Sequence, residues 1–170
     1  MEYKIVEKEA FKVVGEAFKV SAKNGENLIK IPEFWDDFNT SGKSKELCTE
    51  FKVTEMYGIS LDTDKETFIY MICVRGGEGY KGKKYVVKGI PKATWAVFPV
   101  TGAMPSAIQK AFKRIFQEWF LTSGYDRANG PIIEVYPEND TDSYDYYSEI
   151  WVPIKKTIRS QEGVFAECLA

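Results

Sequence analysis

The sequence predicts an α+β fold. Its halves are duplicated strand–helix–strand–strand units with pseudo-two-fold symmetry. They share an antiparallel sheet, carry two main helices and leave a ligand groove between them. Three observations predict it. Several stretches are rich in β-formers with apolar residues at alternate positions. Two stretches carry apolar residues at helical spacing, each opened by a proline. The order strand–helix–strand–strand occurs twice, at roughly 11–75 and 93–154.

Residues 2–20 read as extended, with Gly15 marking a bulge or bend. Residues 21–30 are turn-like. A helix is predicted from Pro32, because Ile31, Phe34, Trp35 and Phe38 share one helical face and Asp36 and Asp37 lie off it. Ser41-Gly42 ends it, and 43–52 is a polar connector. Strands follow at about Glu55–Leu61 and Thr67–Arg75, joined by the hairpin loop Asp62–Glu66. The second is apolar on both faces and belongs inside the sheet. Gly76–Gly82 is a loop.

The second half repeats this order. Ala93–Thr101 is a strand, and Pro105 opens the longest helix, about 105–122, which Gly124 closes. Pro131–Tyr136 is a strand, Pro137–Asp142 a loop and Tyr144–Ile154 the final strand. Residues 1–155 form one domain with pseudo-repeats at about 2–82 and 83–155. Residues 156–170 form a tail. The period, about 80 residues, is too long for a solenoid unit.

Bulk composition narrows the function. The chain has 170 residues, 44% apolar and 28% charged, which suits one globular core. Aromatic content is 15%, more than such a core needs, so some rings should line a site. Net charge is −2 with no basic stripe, which argues against direct nucleic-acid binding. No apolar run is long enough for a membrane span, and the N-terminus lacks a signal-peptide core. A cytoplasmic protein is expected. Cys48, Cys73 and Cys168 are widely spaced, which favours reduced thiols over a disulfide framework or a zinc site. With no histidine at all, His-based triads and His-ligated metals are excluded. No cofactor or metal is expected. Gly76-Gly77-Glu78-Gly79 lacks the lysine of a phosphate loop, and Asp140, Asp142 and Asp145 lack the pattern of a calcium loop.

Glu149 is the candidate site carboxylate. Strand parity puts Tyr147, Glu149 and Trp151 on one face. Parity alone leaves that face either solvated or turned inward. If it turns inward, burial should raise the pKa of Glu149, and a cationic ligand would relieve the cost. Neighbouring rings would add cation–π attraction. Tyr70, Trp119, Phe116, Phe98, Tyr136 and Trp35 are further candidates for the wall.

Three motifs make the sequence resemble a known family. They are Thr94-Trp95-Ala96-Val97-Phe98-Pro99-Val100-Thr101-Gly102 leading into a helix, the helix end Phe116–Tyr125, and Ser148-Glu149-Ile150-Trp151-Val152-Pro153-Ile154. In order and spacing these are similar to the GyrI-like effector-binding domains. Such domains also occur as sensor domains of multidrug-responsive and AraC-type regulators. The resemblance spans about residues 2–155 and implies a duplicated strand–helix–strand–strand fold. It implies a pocket for cationic aromatic ligands, with Glu149 as its glutamate. The chain resembles the stand-alone members, so a sensor, sequestering or resistance protein for small molecules is expected. One alternative implied by the family is a hydrolase of cyclopropane-bearing electrophiles, with Glu149 as acid/base and Tyr147 as helper. Another is a gyrase-inhibitory interaction protein, with a protein partner these residues do not identify.

Overall fold

A computed structural model describes residues 1–61, 63 and 65–158. Cys168 and the tail beyond 158 lie outside the described residues, as do Asp62 and Asp64 of the predicted hairpin loop.

Among the described residues, nine strands form one antiparallel sheet: β1 (Lys4–Lys8), β2 (Phe11–Ser21), β3 (Met56–Leu61), β4 (Thr67–Arg75), β5 (Val86–Ile90), β6 (Ala93–Thr101), β7 (Tyr125–Arg127), β8 (Ile132–Tyr136) and β9 (Tyr147–Lys156). Their spatial order is β1-β6-β9-β8-β3-β4-β2-β5, with β7 beside β9. The order is symmetric about the β3–β8 contact, where Gly58 faces Glu134. This is the pseudo-two-fold expected from the sequence. The extended stretch 2–20 is two strands, and they go to different wings. β1 pairs with β6 at one end, whereas β2 pairs with β4 and β5 at the other.

This connectivity forces the sheet to curl. β6 and β5 lie six strand steps apart, about 29 Å across a flat sheet. Only Pro91 and Lys92 join them, and such a link reaches at most about 11 Å. The link Glu9-Ala10 between β1 and β2 imposes the same limit. The two ends must therefore approach each other. The inner face of this curl holds Phe11, Val13, Tyr57, Ile59, Met71, Cys73, Trp95, Val97 and Trp151, all buried without help from a helix. Tyr57 and Trp95 flank Trp151 at ring distances of 6.0 and 6.2 Å.

The helices cover the outer face. α1 (Asn27–Thr40) and α2 (Lys43–Phe51) lie over the first wing, sealing Val14, Tyr70, Ile72 and Val74 beneath Phe38 and Leu47. α3 (Ser106–Arg114) covers Ala96, Phe98, Ile150 and Val152 of the second wing. It runs on through a π-helical segment, Ile115–Trp119, to a last turn, Phe120–Thr122. The predicted apolar stripe of the first helix is the one that packs. The helix starts five residues before Pro32, however, so Pro32 lies inside it. The predicted connector 43–52 is largely helix α2, which makes three main helices rather than two among the described residues. Its apolar anchor Leu47 stands in a polar run and leaves little periodic signal.

β4 has the predicted bounds and is buried on both faces. Gly15 makes neither bulge nor bend. Its pairing with Cys73 and Val86 is continuous, and a Cβ there would sit 2.0 Å from the Ile72 carbonyl oxygen. Glycine lets two strands approach closely. Ile59 is fully buried among the helix-free cluster. Ile59→Ala is expected to lower unfolding free energy by about 2–5 kcal/mol, measured by urea denaturation.

Candidate functional site

Along β8 the sequence Ile132-Ile133-Glu134-Val135-Tyr136 alternates between the two faces. Ile133 and Val135 enter the inner cluster. Ile132, Glu134 and Tyr136 face the helices, into a groove of about 1340 Å³ between the helical layers of the two wings. Leu28, Ile31, Pro32 and Trp35 of α1 form one wall, and Ile108 and Phe112 of α3 form the facing one. Met56, Ser60 and Phe68 contribute to the floor.

Glu134 is 6% exposed. Its Oε2 accepts hydrogen bonds from the hydroxyls of Tyr70 and Tyr136, each 2.7 Å long. Tyr70 is itself held by Trp35, whose Nε1 donates to the phenol oxygen at 2.8 Å. The Trp35 ring stands edge-on to Tyr136 at 5.1 Å. Every donor in this chain points toward the carboxylate, so each bond polarises the next. Gly58 makes room for it on the neighbouring strand. A Cβ there would lie 2.1 Å from the Tyr70 oxygen and 2.7 Å from Glu134 Oε2.

Two effects oppose each other at Glu134. Burial favours the neutral acid, while the two phenol bonds favour the carboxylate. Burial wins and pushes the pKa up from 4.5 to about 7. Burial and the adjacent Glu134 push both phenols well above their ordinary value, so they remain donors. Around the groove, Asp36, Glu134, Glu138 and Asp142 outnumber the cations Lys45 and Arg127. The groove is apolar with an acidic bias, which suits positively charged organic molecules.

The residues expected from the sequence divide between the two faces. Trp35, Tyr136 and Phe116 line the groove, and Tyr70 stands just behind Glu134. Phe116, in the π-helical segment, stacks with Phe112 of α3 at 6.3 Å. Glu149 does not line the groove. Its register partner Val135 belongs to the inner cluster, whereas Glu134 pairs with the outward Ile150. The predicted trio does assemble, on that other side. Glu149 accepts from the Tyr147 hydroxyl at 2.7 Å and from Trp151 Nε1 at 2.6 Å. Lys8 Nζ lies 4.0 Å above the Trp151 ring. Phe98 and Trp119 pack together at 4.9 Å under α3 with Tyr3, as core. Across the pseudo-axis, Tyr70 corresponds to Ser148, since Gly58 pairs with Ile72 as Glu134 pairs with Ile150.

Sequence reasoning missed Glu134. A signal was available: it is the one acid in an otherwise apolar or aromatic strand, the pattern of a buried charge that something must accommodate.

The profile of the integron-associated effector binding protein family, Cass2, matches residues 4–154. The chain belongs to this family. It is a small-molecule-binding effector domain of the GyrI-like kind. Among solved structures, SAV2435 bound to tetraphenylphosphonium superposes with a TM-score of 0.79 at 24% identity, over 91% of this chain and 94% of that one. A putative transcription regulation protein from Staphylococcus aureus MU50 gives 0.76 at 25% identity, over 91% and 99%. An integron cassette protein from the mobile metagenome of Vibrio cholerae gives 0.67 at 17%, over 90% and 95%. No curated protein matches the sequence. Among the described residues, no helix is long and apolar enough to cross a membrane.

Two predictions follow from the carboxylate. Gly58→Ala should displace the Tyr70 hydroxyl, lower stability by about 1–3 kcal/mol and change Trp35 emission, read by thermal unfolding and fluorescence. Stability should also depend on pH through Glu134. Between 4.5 and about 7 the folded carboxyl keeps a proton that the unfolded one has lost, so stability falls as pH rises through that window and is flat above it. The full drop is roughly 3 kcal/mol. Glu134→Gln should abolish this slope and be more stable than the parent at pH 8, measured by denaturation at several pH values.

Proposed function

We propose that the groove binds lipophilic organic cations, with Glu134 as the counter-charge, and that the protein works as a sensor or sequestering protein for them. One observation carries this reading. Glu134 is a buried carboxylate in an apolar groove, held by two phenol donors with no cationic side chain bonded to it among the described residues. A delocalised cation supplies the missing charge without a large desolvation cost of its own. The Trp35 and Tyr136 rings offer cation–π contacts, worth roughly 0.5–2 kcal/mol each. The tetraphenylphosphonium complex of the similarly folded SAV2435 supports the same ligand class.

Because an ionised Glu134 favours a cation, binding should release a proton. Affinity for tetraphenylphosphonium should rise about tenfold from pH 6 to pH 8, since ionisation near pH 7 is nearly complete only at the upper value. A neutral ligand of similar shape should show no such rise. Glu134→Gln should lose about 10- to 100-fold in cation affinity together with its pH dependence. Isothermal titration in buffers of different ionisation enthalpy reads both affinity and proton release. Unchanged cation affinity in Glu134→Gln would sink the proposal.

A second reading is hydrolysis. A carboxylate that titrates near neutrality beside two phenol donors has the equipment of a general base with acid partners. The catalytic expectation thereby moves from Glu149 and Tyr147 to Glu134. Mass-spectrometric detection of hydrolysed cyclopropane-bearing substrate, absent with Glu134→Gln, is the expected outcome if this reading holds.

A further inference from the structure

Pro32 sits at the sixth position of α1. A proline there has no N–H, so the Leu28 carbonyl four residues earlier loses its intrahelical donor. The structure supplies another. Gln109 of α3 donates its Nε2 to the Leu28 oxygen at 3.1 Å, across 81 residues of sequence. Leu28, Ile31 and Pro32 line one side of the groove, and Ile108, Gln109 and Phe112 line the other. The bond therefore joins the two walls. Among the described residues it is the sole hydrogen bond between α1 and α3.

Little else holds the first turn of α1 in place. Leu28 is 53% and Ile29 61% exposed, so neither anchors it in the core. Just before this turn, Asn24 and Gly25 both have positive φ, 54° and 72°, which makes a sharp corner. The turn thus hangs from a corner on one side and from Gln109 on the other.

We propose that Gln109 is a specificity-determining residue, a crossbar that ties α1 to α3 and thereby selects ligands by girth. This rests on the cation-binding reading of the groove. A flat cation fits between the walls with the crossbar intact. On this proposal a propeller-shaped one engages both walls more fully and strains or breaks it. The bond is exposed and neutral, so its loss is small but measurable.

The test compares two monovalent cations, tetraphenylphosphonium and flat N-methylacridinium, on the full chain. In Gln109→Ala the affinity ratio should shift about threefold to tenfold toward tetraphenylphosphonium. Gln109→Leu keeps most of the side-chain bulk without the donor and should shift the ratio the same way. An unchanged ratio, or a shift confined to the alanine variant, overturns the proposal. Hydrogen exchange of the empty protein gives a ligand-independent readout. The Ile29 and Lys30 amides, which bond to the Glu26 carbonyl, should lose protection in both variants while β4 amides do not. If neither cation binds the parent protein, the cation reading fails. The crossbar is then judged by exchange alone, and unaltered protection overturns it.

Discussion

A carboxylate inside an apolar cleft must be provided for by everything near it, and the arrangement around Glu134 follows from that requirement. Removing the charge from water costs several kcal/mol unless donors or a counter-ion replace the lost solvation. Tyr70 and Tyr136 replace part of it. Tyr70 is fixed from behind by Trp35, and Gly58 vacates the space in which the two oxygens meet. Four residues from α1, β3, β4 and β8 are thus committed to one acid. A purely structural protein would do better with leucine at this position. In the proposed reading, a positive ligand offsets that cost.

The pseudo-two-fold axis explains why the acid lies where it does. Glu134 pairs with Gly58 at the β3–β8 contact, where the halves meet and the helical layers part. The groove is symmetric in outline but not in chemistry. One half provides Trp35 and Tyr70, and the other provides Glu134, Tyr136 and the stacked Phe112 and Phe116. The repeated architecture frames the cleft, and the residues that differ between the halves place one buried carboxylate at its floor.

Local patterns carried much of this fold into the sequence. β4 is legible because nine residues of β-formers lie between polar turns. The stripe Ile31, Phe34, Trp35, Phe38 is legible because helical spacing is strict there. The N-terminus of α1 was not, because Pro32 resembles a helix start and the interhelical donor that excuses it is 77 residues away. Strand parity correctly grouped Tyr147, Glu149 and Trp151. Parity says which residues share a face; it does not say which face looks into a cleft. Here the curl of the sheet made the difference. Trp151, the indole partner of Glu149, belongs to the inside of the curl, and Glu134 looks out under the helices.

The placement of β1 and β5 locks the two halves together. Each is the strand just ahead of a half's main strand, and each is given away: β1 lies against β6, and β5 against β2. This is a reciprocal strand exchange within one chain. A half made alone would have a leading strand with nothing to pair and a bare flank beside its main strand, an invitation to associate. Two such halves would satisfy each other. Within the single chain each half is therefore closed by a strand from the other, and neither main strand is left with a bare edge.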